Sequence, residues 1–145
     1  MSDAQLQGKV AVVSGASEGI GLAITTLLTS EGVDVVMCGR SEEALLKAVE
    51  QVVTAPRPGC RQGRVEVYAA DVRDPSQMDS LMARAVNTFG RLDILINNVG
   101  YFEVKSFFEI KDEDWFEIFE LNVMSGVRLC RELLSRVSTT IPKTS

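Results

Sequence analysis

The stretch Ser14-Gly15-Ala16-Ser17-Glu18-Gly19-Ile20-Gly21 limits the architectures open to this chain more than any other. An apolar run, Val10-Ala11-Val12-Val13, precedes it, and Ile20, Ala23, Ile24, Leu27 and Leu28 continue from it at helical spacing. A short buried strand, a glycine-rich turn and an amphipathic helix together read as the opening of a nucleotide-binding βαβ unit. The glycines divide the work among a tight turn, an approach of backbone N–H groups to a pyrophosphate, and close packing of helix on strand. The helix N-terminus then faces the phosphates with its partial positive charge.

The rest of the chain repeats the alternation. The first strand is expected over Lys9–Val13, and its helix reaches Ser30, where Glu31-Gly32 ends it. Val33–Cys38 is apolar enough for a strand covered on both faces. Ser41 is placed to cap a second helix, with Glu42 and Glu43 in its first turn and Leu45, Ala48, Val49 and Val52 along one side, fading near Val53. Thr54–Gly63 reads as a solvated connection, and Arg64–Ala70 as the third strand. Asp74 caps a third helix with Pro75 at its first position; Met78, Leu81, Met82, Ala85, Val86 and Phe89 share a face before Gly90 stops it. Leu92–Ile96 is the fourth strand. A long helix is expected from Asp112, its stripe formed by Trp115, Phe119, Val123, Val127, Cys130 and Leu134, with Asn122 on the same face. Gly126 there is read as room for a close neighbour, and Trp115 and the methionines as core.

Alternation at this spacing implies an α/β fold: a Rossmann-like doubly wound parallel sheet of about four strands, order 3-2-1-4, with right-handed crossovers and helices on both faces. Residues 1–134 are expected to form the dinucleotide-binding domain, and the Ser/Thr-rich 135–145 an irregular tail. The ligand crevice falls at the switch point between the first and fourth strands, beside the Gly15 turn and the loop after Ile96.

Composition excludes several alternatives. A net charge of −5 does not draw the chain to nucleic acid or an anionic membrane. No apolar run approaches the roughly 20 residues of a membrane span, and the polar residues 1–7 do not resemble a signal peptide. Cys38, Cys60 and Cys130 are far apart, as reduced thiols of a cytoplasmic protein would be. With no histidine, His-based triads and His metal ligands are excluded, and no metal site is expected.

Several stretches together resemble one family, the short-chain dehydrogenases/reductases (SDR). Ser14–Gly21 is similar to its Thr-Gly-x-x-x-Gly-x-Gly turn, with Ser for Thr. Asp71-Val72 resembles its adenine-contacting Asp-Val, Asn97-Asn98-Val99-Gly100 its Asn-Asn-Ala-Gly, and Leu121-Asn122-Val123 the segment carrying the asparagine of its catalytic tetrad. The resemblance runs from about Gly8 to Leu134. It implies hydride transfer between a nicotinamide dinucleotide and a carbonyl or alcohol substrate, with Gly15, Ser17, Gly19, Ile20, Gly21, Asp71, Val72, Asn98 and Gly100 at the cofactor and Asn122 in the catalytic set. The family's catalytic Ser and Tyr-x-x-x-Lys come after a fifth strand that has no counterpart here, so the chain alone is expected to be inactive and truncated. Tyr101 and Lys105 reproduce the Tyr-x-x-x-Lys spacing, but in a loop position, and are read as coincidence.

Cofactor choice rests on the end of the second strand. An NAD-preferring fold places Asp or Glu there for the ribose 2′-hydroxyl; here stand Gly39 and Arg40. Arg40 forks onto a 2′-phosphate and Ser41 adds a hydroxyl, which favours NADP over NAD; Glu18 argues mildly against it. A non-catalytic dinucleotide- or partner-binding module, or a truncated product without function, are the alternative readings. Self-association is expected through the fourth helix and the bare edge of the fourth strand.

Overall fold

The structure, a computed structural model, describes residues 6–52 and 58–137. Four parallel strands form one sheet in the order β3-β2-β1-β4, as expected. β1 (Val10–Ser14) is buried along its whole length and pairs on one side with β2 (Asp34–Gly39), Val10 opposite Asp34 through Ser14 opposite Cys38. β3 (Val65–Ala69) extends the sheet beyond β2. β4 (Ile94–Ile96) lies on the other side of β1, with Ala11 opposite Ile94.

The pleat divides these strands between two cores. Val10, Val12, Val36 and Cys38 face Met78, Leu81, Met82 and Ala85 of α3 (Pro75–Phe89) and Leu129 of α5 (Ser125–Val137). Their neighbours Ala11, Val13, Val35 and Met37 face the opposite way, onto Leu45, Ala48 and Val52 in and just beyond α2 (Glu42–Gln51). Helix ends obey the local chemistry. Ser41 accepts the Ala44 N–H at the start of α2. Asp74 accepts from Ser76 and Gln77 ahead of α3, and Gly90 closes that helix with φ 81°.

α1 (Gly19–Ser30) departs from the expected stripe. Its buried residues are Gly21, Thr25 and Thr29, whereas Ile20 is 72% and Leu27 63% exposed. The reason is steric and polar at once. Small side chains let the helix lie close to the sheet, and each threonine hydroxyl satisfies itself on the carbonyl one turn back, Thr25 on Gly21 at 2.9 Å and Thr29 on Thr25 at 3.0 Å.

The helix expected from Asp112 is two helices. α4 (Asp112–Phe119) passes through a wide π turn, Glu120–Met124, into α5. Trp115 does not join the core: it is 55% exposed, with Phe119, Val123, Val127 and Leu134 also exposed; α4 packs mainly against the π turn that follows it, and its Glu117 reaches Arg73 beyond β3. Met37, Met78 and Met82 are core as expected; Met124, in the π turn, is only half-buried, and Met1 lies outside the described residues. Gly126 admits only the Asn97 side chain, at ordinary contact distance. The fading of α2 at Val53, residues 54–57 of the connection, residues 1–5 and the tail beyond Val137 lie outside the described residues.

The far end of the sheet is locked by one carboxylate. Asp34, its side chain 3% exposed, accepts from Arg61 Nη1 at 2.8 Å and Nη2 at 3.0 Å, and from Arg64 backbone N at 2.8 Å and Nη2 at 2.7 Å. Arg64 also lies 4.8 Å over the Phe89 ring. Burial alone would raise the Asp34 pKa, but these donors together hold it well below its ordinary 3.8. A carboxylate with a depressed folded pKa contributes stability that is complete above the ordinary value and lost as pH falls below it. Asp34→Ala is expected to cost about 2 kcal/mol at pH 7, read as a lower urea midpoint. The unmodified chain is expected to lose stability below about pH 4, and Asp34→Asn to flatten that fall.

Candidate dinucleotide site

The carboxyl ends of β1, β2, β3 and β4 surround a cavity of about 440 Å³, the size range of ligand pockets. Gly15, Ser17 and Glu18 form one wall, Gly39 and Arg40 the next, Ala70 to Arg73 a third, and Asn98 to Tyr101 the fourth; Glu117 and Leu121 reach in from the α4 side.

The glycine turn is held by contacts that admit no side chain at its base. Gly15 and Gly19 carry φ of 62° and 55°. A Cβ on Gly21 would lie 2.2 Å from the Gly15 carbonyl oxygen and 2.7 Å from Asn98 Nδ2. Asn98 Nδ2 donates to that same carbonyl at 3.1 Å. Ser14 joins the pieces: its hydroxyl donates to the Ile96 carbonyl at 3.2 Å and accepts from the N–H of Asn98 at 3.0 Å and of Val99 at 3.4 Å. The turn after β1 and the loop after β4 are thus one unit.

The expected residues separate into groups. Gly15, Ser17, Arg40, Asp71, Val72, Asn98 and Gly100 line the cavity. Gly19 and Gly21 lie in the first turn of α1 behind it, and Ile20 points outward. The Ser41 hydroxyl is engaged 3.2 Å from the Ala44 N–H at the start of α2. Asn97, next to Asn98 in sequence, turns away and donates to Cys130 Sγ at 3.4 Å.

Asn122 sits in the π turn and grips the loop opposite. Its Oδ1 accepts the Tyr101 N–H and its Nδ2 donates to the Tyr101 carbonyl, both at 2.7 Å. π turns of this kind are frequent where a helix must aim a functional side chain. Lys105, four residues after Tyr101, is bound by Glu103 at 2.8 Å and Asp114 at 3.2 Å. These two carboxylates raise its pKa, so it stays charged and paired.

Charge at the mouth is uneven. Asp71 is clasped by Arg73, Nε to Oδ1 at 3.0 Å and Nη2 to Oδ2 at 2.7 Å, which holds its pKa below the usual carboxylate range. Arg40 is exposed and has no ion-pair partner among the described residues, its field acting on Asp71 at longer range. Sequence reasoning missed Arg73, Tyr101 and Glu117 as lining residues. The acid-x-base spacing of Asp71 and Arg73 was the available signal for the first; nothing local signals the other two, which are brought in by α4 and the β4 loop.

Comparison with known proteins agrees with this geometry. A family model for short chain dehydrogenases matches residues 9–140. The uncharacterized oxidoreductase YvrD of Bacillus subtilis is 36% identical over 135 residues, covering 93% of this chain and 48% of the relative. Among solved structures, L-sorbose reductase from Gluconobacter frateurii, complexed with NADPH and L-sorbose, superposes with TM-score 0.79 at 36% identity, over 92% of this chain and 49% of that one. An actinorhodin polyketide ketoreductase with NADPH gives TM-score 0.76 at 32% identity, over 87% and 46%. The chain belongs to the short-chain dehydrogenase/reductase family of oxidoreductases. It spans about half the length of the curated relatives it matches.

The Asn122 grip has a direct readout. Asn122→Leu is expected to accelerate hydrogen exchange of the Tyr101 amide about tenfold, the loss of roughly one solvent-competed hydrogen bond. Asn122→Asp, which keeps the acceptor, is expected to leave that amide protected.

Proposed function

We propose that this chain binds NADP(H) in the cavity at the switch point, as the cofactor-binding part of a cytosolic oxidoreductase that interconverts carbonyl and alcohol groups. One observation carries the choice of NADP. Arg40, at the end of β2, is a guanidinium without an ion-pair partner among the described residues at the mouth of the cavity, where Arg73 is paired with Asp71 and the remaining unpaired charge on the walls is the Glu18 carboxylate. A planar fork of donors suits a 2′-phosphate, and no carboxylate stands at that position to select a 2′-hydroxyl. The NADPH complexes of L-sorbose reductase and the polyketide ketoreductase support the same reading.

The remaining roles are set by the walls. Gly15, Ser17 and Gly19 to Gly21 receive the pyrophosphate at the start of α1; Asp71 and Val72 receive the adenine; Asn98 and Gly100 line the path toward the nicotinamide. When bound, the nicotinamide supplies or accepts hydride. Asn122 holds the Tyr101 backbone, where it orders the cavity wall. Lys105 is committed to Glu103 and Asp114 and is not available to activate Tyr101. Binding without turnover is therefore the expected behaviour of these residues by themselves.

Self-association is the second part of the proposal. Among the described residues β4 is hydrogen-bonded to β1 alone, and Trp115, Phe119, Val123, Val127 and Leu134 of the α4–α5 segment are exposed, apolar side chains of the kind that mark interfaces.

Titration followed by nicotinamide fluorescence is expected to show NADPH binding more tightly than NADH. Arg40→Ala should weaken NADPH by about 10- to 100-fold, the range of one charge-assisted pair, and leave NADH unchanged. Equal weakening of both, or no binding of NADPH to the unmodified chain, would overturn the assignment. Light scattering is expected to report a dimer or larger species, shifted toward monomer by Trp115→Ser with Val127→Ser; a clean monomer of the unmodified chain counts against the interface.

A further inference from the structure

Two arginines line the same cavity, and their surroundings differ. Arg40 is unpaired among the described residues. Arg73 is anchored on every side. Its backbone N–H donates to Asp71 Oδ1 at 2.9 Å, its Nε lies 3.0 and 3.1 Å from the two Asp71 oxygens, and its Nη2 donates to Oδ2 at 2.7 Å. Its Nη1 lies 3.8 Å from Glu117 Oε1 on α4, and its carbonyl accepts from Arg128 Nη1 on α5 at 3.5 Å. The Asp71 backbone is fixed as well, donating to Gln77 Oε1 at 2.8 Å.

An ionised carboxylate offers about four acceptor positions. The Arg73 backbone N–H and guanidinium fill most of those on Asp71, so the group is held in one rotamer with room for one further donor. A purine with an exocyclic amine supplies that donor; one bearing a carbonyl at the same position sets oxygen against oxygen.

We infer that Arg73 is a positioning residue for base recognition: its fork aims Asp71 at a single N–H of the purine, while 2′-phosphate recognition is left to Arg40. This rests on the dinucleotide reading above. Arg73 contributes through Asp71 and through its ties to α4 and α5, not through the phosphates, so two guanidiniums in one cavity control two independent selectivities.

The test compares NADPH with its deaminated analogue, nicotinamide hypoxanthine dinucleotide phosphate, by fluorescence titration of the full chain. The unmodified chain is expected to favour NADPH about tenfold, a difference of one buried hydrogen bond. Arg73→Met should bring the two affinities within about twofold of each other. Arg73→Lys should do nearly the same, because an ammonium cannot fork. Arg40→Ala should leave the adenine preference as it was. An Arg73→Met or Arg73→Lys variant that weakens both ligands equally, at the unmodified ratio, would reduce Arg73 to a structural residue and sink the inference while the dinucleotide reading stands. Failure of the unmodified chain to bind NADPH overturns both. Circular dichroism establishes which of the two Arg73 variants is folded, and the ratio is read from that one.

Discussion

The binding edge of this protein depends on a contact that only a hydrogen atom permits. Where α1 leaves the turn, Gly21 presses so close to the Gly15 carbonyl that a methyl group would sit within 2.2 Å of it. The same carbonyl takes a hydrogen bond from Asn98, and the Ser14 hydroxyl binds the loop after β4 through both the Asn98 and the Val99 N–H. Turn, helix start and loop therefore set one another's positions. The cavity has a defined shape because these pieces cannot move independently, and polar groups of the backbone that would otherwise be stranded at a buried sheet end find partners there.

That local knot is carried by a sheet whose strands contribute alternately to two cores. The opposite end of the sheet is closed by different physics. The buried Asp34 carboxylate gathers two arginines from the segment leading into β3. One end of the sheet is thus fixed by ion pairing and the other by close packing of backbone. The end left free of ion-pair constraint on Arg40 is the one that holds the cavity.

Much of this architecture is legible in the sequence, and for identifiable reasons. The strand order comes from parallel connections of one hand. The Ser41 and Asp74 caps and the Gly90 stop come from side-chain and backbone chemistry between near neighbours. The cavity lining is legible at Gly15, Asp71, Asn98 and Gly100 because a sheet of this topology brings the strand ends together. The α1 stripe misleads because periodicity counts apolar residues and cannot see that Gly21, Thr25 and Thr29 permit closer packing than isoleucine or leucine. Trp115 misleads similarly: helical spacing places it on a stripe, but nothing within the helix says whether another layer lies against that stripe.

By itself, then, the sequence determined the alternation of strands and helices, the glycine-rich turn after β1 and the family, all of which rest on patterns among near neighbours in the chain. Only the tertiary structure decided which arginine is committed and which is free, where Asn122 acts, and which apolar faces remain uncovered. Asn122 reaches back 21 residues to Tyr101, and Arg73, clasped by its near neighbour Asp71, also meets Glu117 on a different helix. A side chain's availability for a ligand is set by what else competes for it, and that competition exists only once the chain has folded.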